Sequence, residues 1–293
     1  MLTTELIRKI RRIEIRTRKV VSEAVAGRYL SAFKGRGMEF ESVRPYEVGD
    51  DVRSIDWNVS ARAGSPHIKM FREERELTVL LAVDLSGSLN FGSNSQLKRE
   101  LLAEVAATLA FSAVRNNDRV GLLAFTDRIE LWVPPRKGRR HVLRIVRDLL
   151  ALKPRGRGTD LATAIDEVNH VLSRRSVVFV LSDFLANGWA KPTAIAAARH
   201  DFIPVVVSDS REGELPDIGL IEVEDPESGE RLVVDTSSRA VRQRYHAFAA
   251  AQRDEREATF RRVSAEPIRV QPGQDFVEPM VAYFRRREAR RAR

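Results

Sequence analysis

Leu77-Thr78-Val79-Leu80-Leu81-Ala82-Val83-Asp84-Leu85-Ser86-Gly87-Ser88 is a short, nearly unbroken apolar run that stops abruptly at one carboxylate and two hydroxyls. Such a run reads as a strand buried on both faces, the kind found in parallel sheets, delivering small oxygen groups to the sheet edge. The pattern recurs further along the chain. Residues 120–125, 177–181 and 202–207 are apolar strands, and 177–181 runs into Ser182-Asp183. Between them lie helical patterns: Leu97, Leu101, Val105 and Leu109 recur at four-residue steps within 95–115, and further helices are expected at about 139–150, 161–173 and 192–200. Strands alternating with helices predict an α/β fold, a doubly wound and mainly parallel sheet with helices on both faces. Residues 129–133 read as a strand joined to 120–125 by Thr126-Asp127-Arg128. A terminal hairpin is expected from 220–223 and 231–234, around Asp225-Pro226-Glu227-Ser228-Gly229.

On the amino-terminal side, residues 1–76 read as a smaller unit. Leu6, Ile10, Ile13, Val20 and Ala24 recur at helical spacing, with Thr3 or Thr4 as the N-cap and Gly27 as the stop. Residues 33–57 follow as a loop-rich module in which Phe40, Tyr46, Ile55 and Trp57 call for burial, while Arg44, Arg53, Asp50, Asp51 and Asp56 are expected to pair as ions. Arg36 between two glycines offers an anion-binding backbone nest. On the other side, residues 236–293 read as a helical extension: a long amphipathic helix over 237–263, a short strand at 268–270 and a last helix from 275 that frays into arginines. The expected division is therefore 1–76, 77–235 and 236–293.

With 293 residues and 43% hydrophobic side chains, the chain has enough apolar surface for one substantial core and a smaller unit. It has no cysteine, which excludes disulfides, zinc-thiolate sites, iron-sulfur clusters and a cysteine nucleophile. The five histidines are scattered, so a metal would be held by oxygen. A net charge of +9 and a pI near 10.2 invite a nucleic-acid reading. No recognised motif accompanies that charge, however, and much of the surplus lies in Arg285-Arg286-Arg287 and Arg290-Arg291-Ala292-Arg293, so nucleic acid is not the expected partner. No apolar run reaches the roughly 18 to 20 residues of a membrane span, and charges interrupt the first apolar positions, which predicts a cytoplasmic protein without a span or signal segment.

In a doubly wound sheet, ligands gather outside the carboxyl ends of strands where the strand order reverses. Asp84, Ser86 and Ser88, then Thr159 in Gly156-Arg157-Gly158-Thr159-Asp160, then Asp183 are expected there. Two carboxylates and three hydroxyls, completed by water, form the oxygen-only set preferred by Mg²⁺ or Mn²⁺. An ion with few charged ligands keeps positive charge, so a carboxylate from outside would complete its shell. This predicts a non-enzymatic, metal-dependent module that binds a protein through an acidic side chain. A hydrolase using the same ion to activate water is the alternative, and a basic nucleic-acid-binding protein the third reading. Enzyme templates fit poorly: there is no G-x-S-x-G elbow and no G-x-x-x-x-G-K loop, and Ser86 stands where a haloacid-dehalogenase-like phosphatase needs an aspartate. The plain structural alternative is that Ser86 and Ser88 cap a turn while Asp84 and Asp183 pair with arginines.

Asp84-Leu85-Ser86-Gly87-Ser88, Thr159 and Asp183 resemble the metal-ion-dependent adhesion site of von Willebrand factor A domains, matching its D-x-S-x-S, Thr and Asp elements in order. That resemblance spans about residues 77–235 and implies a Rossmann-like fold. Gly35-Arg36-Gly37-Met38-Glu39-Phe40, Arg44-Pro45-Tyr46, Gly49-Asp50-Asp51-Val52-Arg53-Ser54-Ile55-Asp56-Trp57, Ala61-Arg62 and Glu74-Arg75-Glu76-Leu77 are similar to the signature of the bacterial family called domain of unknown function 58. The family resemblance implies a MoxR-type AAA+ ATPase as working partner and a chaperone-like role in maturation or remodelling of other proteins.

Overall fold

The computed structural model describes residues 8, 11–13, 15, 25–33, 39–72, 76–92 and 96–291. Helix α1 (Ala26–Phe33) is followed by an antiparallel pair, β1 (Glu39–Pro45) and β2 (His67–Arg72), with helix α2 (Trp57–Ala63) between them. Most of the helix expected before residue 26, and the nest around Arg36, fall outside the described residues. Gly27, expected to stop a helix, lies inside α1, because Tyr29, Ala32 and Phe33 beyond it are buried and hold the helix on the core. Ion pairing in the module follows the expectation in part: Arg44 donates twice to Asp50, at 2.8 and 2.7 Å, and Asp56 caps α2 by accepting from the Asn58 and Val59 amides. Trp57 departs from it, standing 69% exposed, because a two-stranded sheet and a seven-residue helix offer no second layer to cover its ring.

The central sheet takes β3 (Thr78–Asp84), β4 (Arg119–Phe125), β5 (Ile129–Arg136), β6 (Val177–Ser182) and β7 (Asp201–Val207). Strands β8 (Leu220–Glu224) and β9 (Arg231–Asp235) form a separate antiparallel hairpin, and β10 (Ile268–Val270) returns to the central sheet. The six-stranded order is β10-β7-β6-β3-β4-β5, parallel except for the antiparallel β4–β5 pair. The helices are α3 (Lys98–Arg115), α4 (Arg139–Ala151), α5 (Leu161–Val171), α6 (Ala190–Arg199), α7 (Arg239–Arg262) and α8 (Val277–Arg291). This is the predicted α/β architecture, a mainly parallel sheet flanked by helices.

Side chains alternate across β3, so its apolar run feeds two cores. Val79, Leu81 and Val83 pack with buried residues of α1, α3, α4 and α8, while Leu80 and Ala82 pack with α5, α6 and Phe260 of α7. The boundary expected after residue 235 therefore crosses one continuous unit: β10 adds an edge strand to β7, and Met280, Tyr283 and Phe284 of α8 are core residues. Nor does the last helix simply fray. Arg287 pairs with Asp201, donates to the Ala32 carbonyl at 3.3 Å and lies 4.8 Å over the Phe33 ring.

Candidate metal centre

From β3 the chain crosses through α3 on one face to β4; it reaches β6, on the other side of β3, through α5 on the opposite face. The carboxyl ends of β3 and β6 therefore flank the reversal in strand order, the place where ligands gather in sheets of this kind. Asp84 is the last residue of β3 and Asp183 directly follows β6. Asp84 is fully buried; its Oδ1 accepts the Ser86 amide at 2.8 Å and its Oδ2 the Ser182 hydroxyl at 2.6 Å. The Ser86 and Ser88 hydroxyls lie 3.1 Å apart, and Ser88 donates to Asp183 Oδ2 at 2.9 Å. Four of the five expected residues thus form one continuous hydrogen-bonded path.

Thr159 arrives on a loop fixed from behind. The Glu130 carboxylate accepts the amides of Arg155 and Gly156, at 2.9 and 2.7 Å, and the Thr126 hydroxyl at 2.9 Å. A Cβ at Gly156 would lie 1.8 Å from Asp127 Oδ1 and 2.3 Å from Thr126 Oγ1, so a larger residue there would require both side chains to turn away. The loop then meets the serine loop, the Gly87 amide donating to the Arg157 carbonyl at 2.7 Å. The Thr159 hydroxyl itself donates to Glu227 Oε1 at 2.6 Å, so the fifth residue sits alongside the other four rather than within their path.

Burial, and then the charge of Asp183, push the Asp84 carboxyl up to about 7, against hydrogen bonds from Ser182 and Ser86. In place of the arginine considered as a partner for Asp183 stands Lys98, the first residue of α3. It is 1% exposed, with Nζ 3.1 Å from Asp183 Oδ2 and a second bond to Glu212. Burial alone would lower its pKa, but Asp183 and Glu212 outweigh that and raise it. Helix α7 is tied to the same strand end, Arg256 Nη1 donating to the Asp183 carbonyl at 2.7 Å. The next residue, Phe184, has a φ of 56°, a conformation that costs a non-glycine residue about 1 kcal/mol or more. Its ring is held by Trp189 and Phe260, at 5.3 and 5.1 Å.

The donor set fits a hard divalent ion: two carboxylates and three hydroxyls, all oxygen. Positive charge held by Asp84 and Asp183 would offset the burial and the repulsion that raise Asp84. Among the described residues no three His, Asp or Glu are placed to hold one metal ion together, so hydroxyls and water would carry much of the coordination. Ser182, Lys98, Glu130 and Glu227 were not anticipated from sequence. Ser182 had a signal, since it shares the strand end with Asp183; the other three reach the site through tertiary contacts with no local mark.

Fold and site together define a class, an α/β protein whose mainly parallel six-stranded sheet carries a cluster of hydroxyls and carboxylates at its strand ends. Residues 42–255 match the family described as Protein of unknown function DUF58, and the chain belongs to that family. The uncharacterized protein Rv1480 of Mycobacterium tuberculosis is 33% identical over 292 residues, covering 97% of this chain and 91% of that one. Among solved structures, an aerotolerance-related membrane protein from Bacteroides fragilis is 16% identical with a TM-score of 0.49, covering 73% of this chain and 99% of its own. A von Willebrand factor type A protein from Catenulispora acidiphila is 11% identical with a TM-score of 0.35, covering 64% and 44%. The cytoplasmic placement expected from sequence is withdrawn: similar solved structures from Bacteroides fragilis and Vibrio fischeri are of proteins called membrane proteins, a description that belongs to those proteins. No helix among the described residues is long and apolar enough to cross a membrane.

Proposed function

We propose that this edge of the sheet is a divalent-cation-dependent protein-binding site. In this reading Asp84, Ser86, Ser88, Thr159 and Asp183 hold Mg²⁺ or Mn²⁺, and the ion takes an acidic side chain of a partner protein. The observation that supports it is the hydrogen-bonded path, 2.8 to 3.1 Å at each step, from Asp84 through the Ser86 amide and hydroxyl and Ser88 to Asp183, which brings hard oxygen groups to the ends of two adjacent strands. The ion would supply positive charge for a carboxylate. The chain's own groups would position it: Ser182 orients Asp84, Lys98 balances Asp183, and Glu130 shapes the loop that presents Thr159. The family resemblance extends the proposal to a MoxR-type AAA+ ATPase as partner, the pair acting on client proteins in a chaperone-like way.

The test uses the full chain. Wild type should bind Mn²⁺ in a calorimetric titration and capture a purified MoxR-type ATPase in Mg²⁺ but not in chelator. Asp84→Asn and Ser86→Ala should each weaken Mn²⁺ binding by more than about tenfold and abolish capture, with circular dichroism unchanged. Equal capture by wild type and both variants, with or without chelator, would overturn the proposal.

A further inference from the structure

Between α7 and the loop 184–190 that follows β6 lies a cavity of about 430 Å³. The loop turns through two left-handed residues, Phe184 and Gly188, with φ of 56° and 79°. Buried Phe184 and Trp189 line the cavity from the loop, and Phe248, 61% exposed, lines it from α7. The charged residues of the lining are Arg256, Arg262 and Glu255. Two guanidinium groups against one exposed carboxylate give it net positive charge.

Arg256 is the group left out of balance. It is 9% exposed, and arginine is seldom buried to that degree without a carboxylate beside it. Among the described residues its one hydrogen bond is from Nη1 to the Asp183 carbonyl, its Nε has no partner, and no carboxylate stands within ion-pairing distance. A carbonyl dipole satisfies part of a guanidinium and does not neutralise it. The volume is that of a pocket for a small ligand or a single side chain. A bare inorganic anion would leave the aromatic walls in water, and a plain hydrocarbon would leave Arg256 unbalanced. We infer that the cavity is a binding site for a carboxylate carried on an aromatic or branched apolar body, with Arg256 and Arg262 taking the carboxylate and Phe184, Trp189 and Phe248 covering the body. A free arylalkanoic acid and a protein chain ending in phenylalanine offer the same chemistry, and the test separates them. The site needs no metal ion and stands apart from the metal-dependent reading above.

The experiment titrates the full chain, in chelator, with 3-phenylpropionate, with its uncharged amide, and with acetyl-Gly-Gly-Phe bearing a free terminal carboxylate, and reads heat of binding and thermal midpoint. Wild type should bind 3-phenylpropionate with a Kd of about 1 mM or tighter and the amide about tenfold more weakly. Phe248→Ala and Arg262→Ala, both at exposed positions outside the core, should each weaken the acid about fivefold. Arg256→Gln should erase the preference for acid over amide; if that variant does not fold, the other two and the comparison of acid with amide on wild type decide. Tighter binding of the peptide than of the free acid supports the site with a protein terminus as its ligand, and the reverse supports it with a small acid. No binding of the acid by wild type, equal binding of acid and amide, or acid binding unchanged in the folded variants would overturn the inference. Because metal is excluded throughout, that failure would leave the metal centre standing.

Discussion

Lys98 places an ammonium group out of water between Asp183 and Glu212, and the two carboxylates keep it charged. Removing one partner from a buried ionic cluster leaves the others uncompensated, so Lys98→Met should cost about 3–5 kcal/mol in urea denaturation. Asp118 shows the opposite balance. It accepts the Leu77 amide at 2.9 Å and the Tyr29 hydroxyl at 3.3 Å, yet burial pushes its carboxyl up to about 6 from an ordinary 3.8, with the charge of Glu76 adding to the rise. Between those two values the folded chain holds a proton that the unfolded chain has released. This contribution to stability is therefore full below the lower value and is lost as pH rises through the upper one. The shift corresponds to about 3 kcal/mol. Asp118→Asn should flatten the fall in melting stability across that window; an unaltered pH profile would contradict this assignment.

At the scale of elements, the contact between Gly87 and the hairpin tip is a steric one and has a steric test. Gly87→Ala puts a methyl where only 2.2 Å separates it from the Pro226 carbonyl, so the tip must move. Amide exchange at 225–229 should accelerate by an order of magnitude or more while β3 and β6 keep their protection, since the central sheet carries its own core. The strands, and the placing of four candidate site residues at their ends, were legible in sequence for a local reason. A strand buried on both faces is an apolar run, and the polar residue that ends it lies at the sheet edge, which is how Asp84, Ser86, Ser88 and Asp183 announced themselves. Thr159 was marked by its glycines. What stayed hidden depends on distant parts of the chain: Glu227 meets Thr159 across 68 residues and Lys98 meets Asp183 across 85. Trp57 and Gly27 misled because burial and helix length are decided by what packs against them, a core beneath α1 and none over the Trp57 ring.

Across the whole molecule, α1 and α8, far apart in the chain, converge on one face of the sheet. Tyr29 and Phe33 of α1 meet Phe284 of α8 at 5.9 and 5.7 Å between ring centres, Phe33 also meets Phe179 of β6 at 6.0 Å, and Arg28 reaches Glu288 at 3.3 Å. Phe284→Ala empties the centre of that contact and should cost about 3–5 kcal/mol, read as a lowered thermal midpoint with concerted loss of α1 protection. The ribosome delivers α1 long before α8. Until residues 277–291 are made, the apolar side of α1 lacks its aromatic seat on Phe284. The face of the sheet that α1 and α8 share is therefore the last to close as the chain is synthesised.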